Sequence, residues 1–257
     1  MLKRRMSHVL RAGILLSAAI LLTGCARSDA LWGVVDKLCL NNHALTKNTA
    51  PCHSIYVPEG NARGFSVIQN PRYPYHFILV PTIKVSGIED PQLFAESSVD
   101  YFGYAWLMRY LVSWQYGAQV PDDMLGMAVN SASGRSQDQL HIHLTCLRED
   151  VRRQMLAERP YIQERWTPMQ DKLLNNTYYA RKVVQPTAMG IYPVKSVSDY
   201  FHLSPEQMAE WGVALIPTHW SGQKGFILLT TRRGWDKGNR ASVESLLDKE
   251  CSILPAK

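Results

Sequence analysis

Between Leu140 and Cys146 the chain reads L-H-I-H-L-T-C, with an apolar residue at every second position from Leu140 to Leu144. That alternation is the period of a β-strand, whose side chains point to opposite faces in turn. Leu140, Ile142 and Leu144 are expected on a core face, and His141 and His143 together on the other. A strand with one apolar face needs edge partners and a layer beneath it, so a chain like this one must build a sheet around its two histidines. Neutral imidazoles side by side serve either as metal ligands or as a nucleophile held by its neighbour.

Other segments supply the rest of such a sheet. Residues 64–68 and 76–81 are short β-rich runs separated by the turn-forming N-P-R-Y-P at 70–74, and are expected to pair antiparallel. Residues 124–130 and 140–148 form a second expected hairpin across a Ser/Gly-rich loop, and 212–217 with 225–231 a third across Ser221-Gly222. Helical spacing appears at 31–40, with Leu31, Val34, Val35 and Leu38 on one face, before a polar loop that runs to Pro58. The longest helix is expected at 91–116, where Phe102, Trp106, Tyr110 and Trp114 recur every fourth residue as a core-facing stripe. Residues 150–165 read as an exposed polar helix, Ser204-Pro205-Glu206 as a helix start, and 242–254 as a closing helix or turn. Antiparallel pairs with one long packed helix make the fold class α+β, without parallel crossovers.

The first 25 residues read as a targeting segment. Lys3, Arg4, Arg5 and Arg11 precede an uncharged apolar run of 13 residues, Ala12 to Gly24, shorter than the ~17–25 residues a membrane-crossing helix needs. Leu22-Thr23-Gly24-Cys25 resembles a bacterial lipoprotein signal with Cys25 as the lipidated residue. An uncleaved anchor and plain secretion are the alternatives, and all three carry the folded part across the inner membrane. Removing residues 1–24 takes four of the 28 basic residues and none of the 22 acidic ones, so the net charge drops from +6 to +2. Without a basic stripe on the folded part, a nucleic-acid partner is not expected.

The remaining cysteines, Cys39, Cys52, Cys146 and Cys251, are even in number, which in an oxidising compartment favours two disulfides with three possible connectivities. Cys39 and Cys52 enclose a short polar loop, which leaves Cys146 for Cys251. Zinc binding by these cysteines is not expected, because no C-x-x-C pair occurs.

Asn130, Gln137, His141 and His143 match, without a gap, the spacing of the histidine-triad (HIT) superfamily signature. P-Y-H-F-I-L-V-P at 74–81 resembles the strand that precedes it. More narrowly, A-V-N-S-A-S-G-R-S-Q, H-I-H-L-T-C-L-R-E-D-V-R, Y-Y-A-R-K-V at 178–183 and N-R-A-S-V-E at 239–244 are similar to the bacterial CDP-diacylglycerol pyrophosphatase family. The resemblance implies a HIT-like antiparallel sheet with a long packed helix, in one domain from residue 26 to 257. Its C-terminal part, from about residue 167, is expected as an extension that repeats the architecture and fills a dimer partner's place.

The resemblance also implies hydrolysis of membrane-held CDP-diacylglycerol to CMP and phosphatidate through a nucleotidyl-histidine, with no metal or cofactor. In the ungapped reading His143 is the nucleophile and His141 orients it, and the triad's third histidine is replaced by Thr145. A reading slipped by two residues makes His141 the nucleophile. Asn130, Gln137, Thr145, Arg135 and Arg148 are the expected phosphate-contacting or orienting groups; His76, Arg181, Lys182, Asn239 and Arg240 are further candidates. The alternatives are transfer of CMP to an acceptor other than water, and a lipoprotein that binds nucleotide or lipid without turnover.

Overall fold

A computed structural model describes residues 28–255; the stretch 1–25 expected as a targeting segment, with Cys25, lies outside the described residues. Among the described residues no helix is long and apolar enough to cross a membrane. The strands are β1 (Ser54–Tyr56), β2 (Phe65–Gln69), β3 (Phe77–Pro81), β4 (Leu125–Val129), β5 (Ile142–Leu147), β6 (Thr167–Pro168), β7 (Tyr179–Val183), β8 (Trp211–Trp220), β9 (Gln223–Arg232) and β10 (Leu247–Asp248). They join one sheet in the order β1-β2-β3-β5-β4-β8-β9-β7-β6, and every pair is antiparallel. β10 pairs with the end of β5, on the edge opposite β4. The α+β expectation holds as a mixed fold dominated by one large antiparallel sheet.

Register decides what each face carries. Ile68 lies opposite Ile78, Ile78 opposite His143, His143 opposite Ala128, and Ala128 opposite Ala214. Directly opposed residues share a face, so this row is one face of the sheet and Phe77, Leu144, Met127 and Leu215 belong to the other. The second face packs on Phe102, Ala105, Trp106, Leu111 and Val112 in the main core. On the histidine face, Ala128, Ala214 and Leu147 are covered by Val151 and Met155 of the helix Glu149–Glu158. That cover does not extend to Ile68, Ile78 and His143, which line a cavity.

Several boundaries differ from the sequence expectations. The N-terminal helix continues past Leu40, through the π-helical Val34–Leu40 into Asn41–Thr46, so the expected loop begins only at Lys47. The expected 91–116 helix is a 3-10 turn, Pro91–Leu93, followed by the helices Tyr101–Leu107 and Tyr110–Tyr116. Asp100 causes the late start: its carboxylate accepts the Gly103 N–H at 2.9 Å, an N-cap that closes the first turn.

Between the two helices, Leu111 and Val112 donate to Met108 and Arg109, a tighter i→i+3 turn that shifts the helical phase. Phe102 and Trp106 are therefore buried, whereas Tyr110 and Trp114 are 57% and 63% exposed. The aromatic stripe is core only in its first half. Glu149–Glu158 is likewise not simply exposed; it buries Val151 and Met155 and ends before Pro160, which cannot continue a helix.

The third hairpin is longer than expected, and its turn residues Ser221 and Gly222 both have positive φ, as a two-residue turn between twisted strands requires. Residues 204–210 give a 3-10 turn, Glu206–Glu210, and 242–254 contain only the 3-10 turn Val243–Leu246 and β10. Disulfides join Cys39 to Cys52 and Cys146 to Cys251.

Trp106 meets Phe226 edge-on with ring centroids 5.0 Å apart inside the main core. Trp106→Ala is expected to lower unfolding free energy by about 3–5 kcal/mol, and Tyr110→Ala by less than about 1 kcal/mol, in urea titrations. Equal losses would show that the stripe is packed along its whole length.

Candidate active site

The cavity on the histidine face has a volume of about 910 Å³. His143 reaches it from β5, His141 from the residue before that strand, and His76 from the residue before β3. Because β3 and β5 are hydrogen-bonded neighbours, His76 comes against His143: Nε2 of His76 and Nδ1 of His143 are 2.9 Å apart, with the rings stacked at 5.1 Å. The His141 ring stands edge-on to His143 at 4.9 Å.

All three rings are buried, and burial is the largest reason that their pKa values fall. His76 is pushed down to about 4 by burial, then by the Lys249 ammonium and by His141. His143 lies well below the ordinary 6.5 through burial, then through His141 and His76. His141 is lowered by burial, although the Gln139 carbonyl and the Glu244 carboxylate favour its cation. At neutral pH each ring therefore carries one proton and one lone pair.

Hydrogen-bond partners assign those protons. The Asn70 side-chain oxygen accepts the N–H groups of Arg72 and Tyr73 at 2.9 and 3.2 Å, which turns its amide nitrogen toward Nδ1 of His76 at 3.3 Å. His76 thus accepts at Nδ1 and donates from Nε2–H to Nδ1 of His143. The proton of His143 is then on Nε2, which faces Oε2 of Glu244 at 3.2 Å. Both of those atoms are buried and neither makes a well-directed hydrogen bond. His141 is fixed differently: its Nδ1 is 2.7 Å from the carbonyl oxygen of Gln139, an acceptor only, so Nδ1 carries the proton and Nε2 the lone pair.

The other expected residues divide between the cavity and elsewhere. Asn130 lines it, its side-chain oxygen accepting the Glu244 backbone N–H at 3.0 Å. Gln137 also lines it, and its Oε1 accepts the Leu31 N–H at 2.8 Å, tying the N-terminal helix to the cavity wall. Arg135 is present with its charge already shared, bonded through both terminal nitrogens to Glu89 at 2.7 and 2.6 Å and also to Asp138. Arg240 lines the cavity, and its carbonyl accepts the Ser131 and Ser133 hydroxyls.

Thr145 is not brought there; it is fully buried and donates to the Asp248 carbonyl. Arg148 pairs with Asp150 beside a second cavity of about 780 Å³. Arg181 and Lys182 lie on β7, bonded to the Glu164 carbonyl and Ser196 hydroxyl and placed over the Trp220 ring respectively. Asn239 bonds Thr231, Arg232 and Ala241 in a turn.

Among the cavity residues that the sequence did not single out, Asn70, Glu244 and Lys249 bear directly on the imidazoles. Glu244 ends the N-R-A-S-V-E stretch, which was legible only as a family resemblance. Lys249 holds its carboxylate at 3.0 Å. Glu244 and Lys249 also border the second cavity, so the two cavities adjoin there.

A family model described as CDP-diacylglycerol pyrophosphatase matches residues 26–255. The chain belongs to the CDP-diacylglycerol pyrophosphatase family. It is 34% identical over 230 residues to a Yersinia pestis protein named CDP-diacylglycerol pyrophosphatase, a match covering 90% of this chain and 86% of that relative. The family match spans every residue that lines the histidine cavity.

The lowered histidine pKa values have a consequence for stability. Between pH 6.5 and about 4 the unfolded chain binds a proton at His76 that the folded chain refuses. Stability from this group is therefore complete above pH 6.5 and is lost as pH falls through that window. His76→Gln is expected to flatten the pH dependence of unfolding free energy between pH 6.5 and 4; an unchanged slope would show that His76 is freely protonated in the fold.

Proposed function

We propose that this chain hydrolyses the phosphoanhydride of CDP-diacylglycerol to CMP and phosphatidate through a nucleotidyl-histidine intermediate, on a histidine-triad-like fold. The family supports the reaction. The observation that carries the mechanism is the hydrogen-bonding geometry of three buried imidazoles in one cavity, from which the order of their protons follows. A nucleophile needs a lone pair facing its target, and in this proton pattern the lone pair belongs to Nε2 of His141. The Nε2–H of His143 is a donor. The roles are then the reverse of those implied by the ungapped motif and agree with the slipped reading.

Nε2 of His141 attacks the phosphorus that carries cytidine, the bond to the bridging oxygen breaks, and phosphatidate leaves as an anion that needs no proton. The ring gains positive charge, which its Nδ1–H shares with the Gln139 carbonyl. His143 donates from Nε2–H to an oxygen of the transferred phosphoryl group. Asn130 acts by holding the Glu244 backbone, and Gln137 by holding the N-terminal helix against the cavity, rather than as direct phosphate ligands. Water then releases CMP.

The acyl chains of this substrate stay in a bilayer, which fits attachment through residues 1–25 with the folded part facing the periplasm. Two disulfides accord with that oxidising compartment.

The test is CMP release from CDP-diacylglycerol, with mass spectrometry of protein quenched during turnover. The wild type is expected to carry a nucleotidyl group on His141, His141→Ala to lose both adduct and activity, and His143→Ala to keep the adduct while turning over about 10²–10³-fold more slowly. An adduct on His143 would restore the ungapped assignment. No CMP release by the wild type would overturn the proposed reaction.

A further inference from the structure

The second half of the proposed reaction needs a group that takes a proton from water, and none of the imidazoles offers one. His141 carries the nucleotide at that stage, His76 spends its lone pair on Asn70, and His143 turns an N–H toward the cavity. Glu244 is the only carboxylate among the described residues lining the cavity. Its Oε2 is buried, makes no well-directed hydrogen bond, and lies 3.2 Å from Nε2 of His143, whose ring is 4.9 Å from that of His141. Lys249 at 3.0 Å and the Asn130 oxygen on its backbone N–H hold it there from two sides.

We infer that Glu244 is the catalytic base of the hydrolytic step, an assignment that rests on the covalent reading above. A water molecule between the Glu244 carboxylate and the nucleotidyl phosphorus gives its proton to Glu244 as its oxygen bonds to phosphorus. The bond from phosphorus to Nε2 of His141 breaks, its electron pair returns to the ring, and CMP departs. The ring is then neutral with Nδ1–H still on the Gln139 carbonyl, and Glu244 passes its proton to solvent through its exposed part, since a quarter of its side chain is accessible. Glu244 is thereby the residue that makes water the acceptor.

Rapid-quench measurement of Glu244→Gln, beside the full-length wild type, separates the two half-reactions. Phosphatidate is expected to appear in a burst of about one per enzyme at the wild-type rate, after which CMP release runs about 10²–10³-fold slower and nucleotidylated protein accumulates. Hydroxylamine, which attacks without prior loss of a proton, is expected to restore turnover of the variant, and Glu244→Asp to restore part of it. A Glu244→Gln enzyme whose burst and steady state slow together would make Glu244 a positioning residue only and overturn the assignment, as would an unchanged steady state. Should the wild type yield no histidine adduct at all, the covalent reading falls and this one with it. An adduct in the wild type with unaltered partition in the variant removes the role of Glu244 alone.

Discussion

Everything at the site depends on the burial of three imidazoles within contact of one another. Two cations in such a space would repel without water to screen them, so the rings stay neutral and each must both give and accept a proton. Neutrality turns a cluster into a directed chain. Asn70, locked by two backbone N–H groups, sets the direction at one end, and the carbonyl of Gln139 sets the tautomer of His141 independently. A charged histidine at either position would erase the distinction between donor and acceptor.

The sheet makes that burial possible by covering one face unequally. Behind the histidines, the helices Tyr101–Leu107 and Tyr110–Tyr116 seal the sheet with aromatic and aliphatic side chains. On the histidine face the small residues Ala128 and Ala214 admit the helix Glu149–Glu158 close to the sheet, and that cover stops before Ile78 and Ile68. The N-terminal helix comes to the remaining wall, held by the Gln137 side chain. Core packing and cavity thus come from the same row of residues, with chain size along the row deciding which results.

The C-terminal segment completes the cavity from a great distance along the chain. The Cys146–Cys251 bridge spans 105 residues and fastens the tail to β5, the strand that carries His143. β10 pairs beside it, and Asn130 accepts the N–H of Glu244 across a separation of 114 residues. Cross-linking and pairing together offset the entropy of closing so long a loop. Glu244 and Lys249 reach the imidazoles only because this segment is tied down.

By itself the sequence determined the strand that carries the histidines, the hairpin partners flanking it and the mixed, sheet-dominated class, because period-2 alternation and turn residues are local properties. It also placed His141 and His143 on one face; Asn130 and Gln137 were tied to them only by the family resemblance. Helix continuity was less legible: the aromatic period through residues 102–114 is real, but the tight turn at Met108 and Arg109 rotates Tyr110 and Trp114 out of the core. Thr145 shares the face of His143 by the same alternation and is nevertheless sealed beneath the Asp248 carbonyl, since parity fixes a face and not what covers it. Which imidazole keeps a lone pair that no neighbouring ring or amide uses was decided only in three dimensions. That choice depends on Asn70, Gln139 and Glu244, whose hydrogen-bonding distances follow from strand pairing and a long-range disulfide rather than from any spacing in the chain.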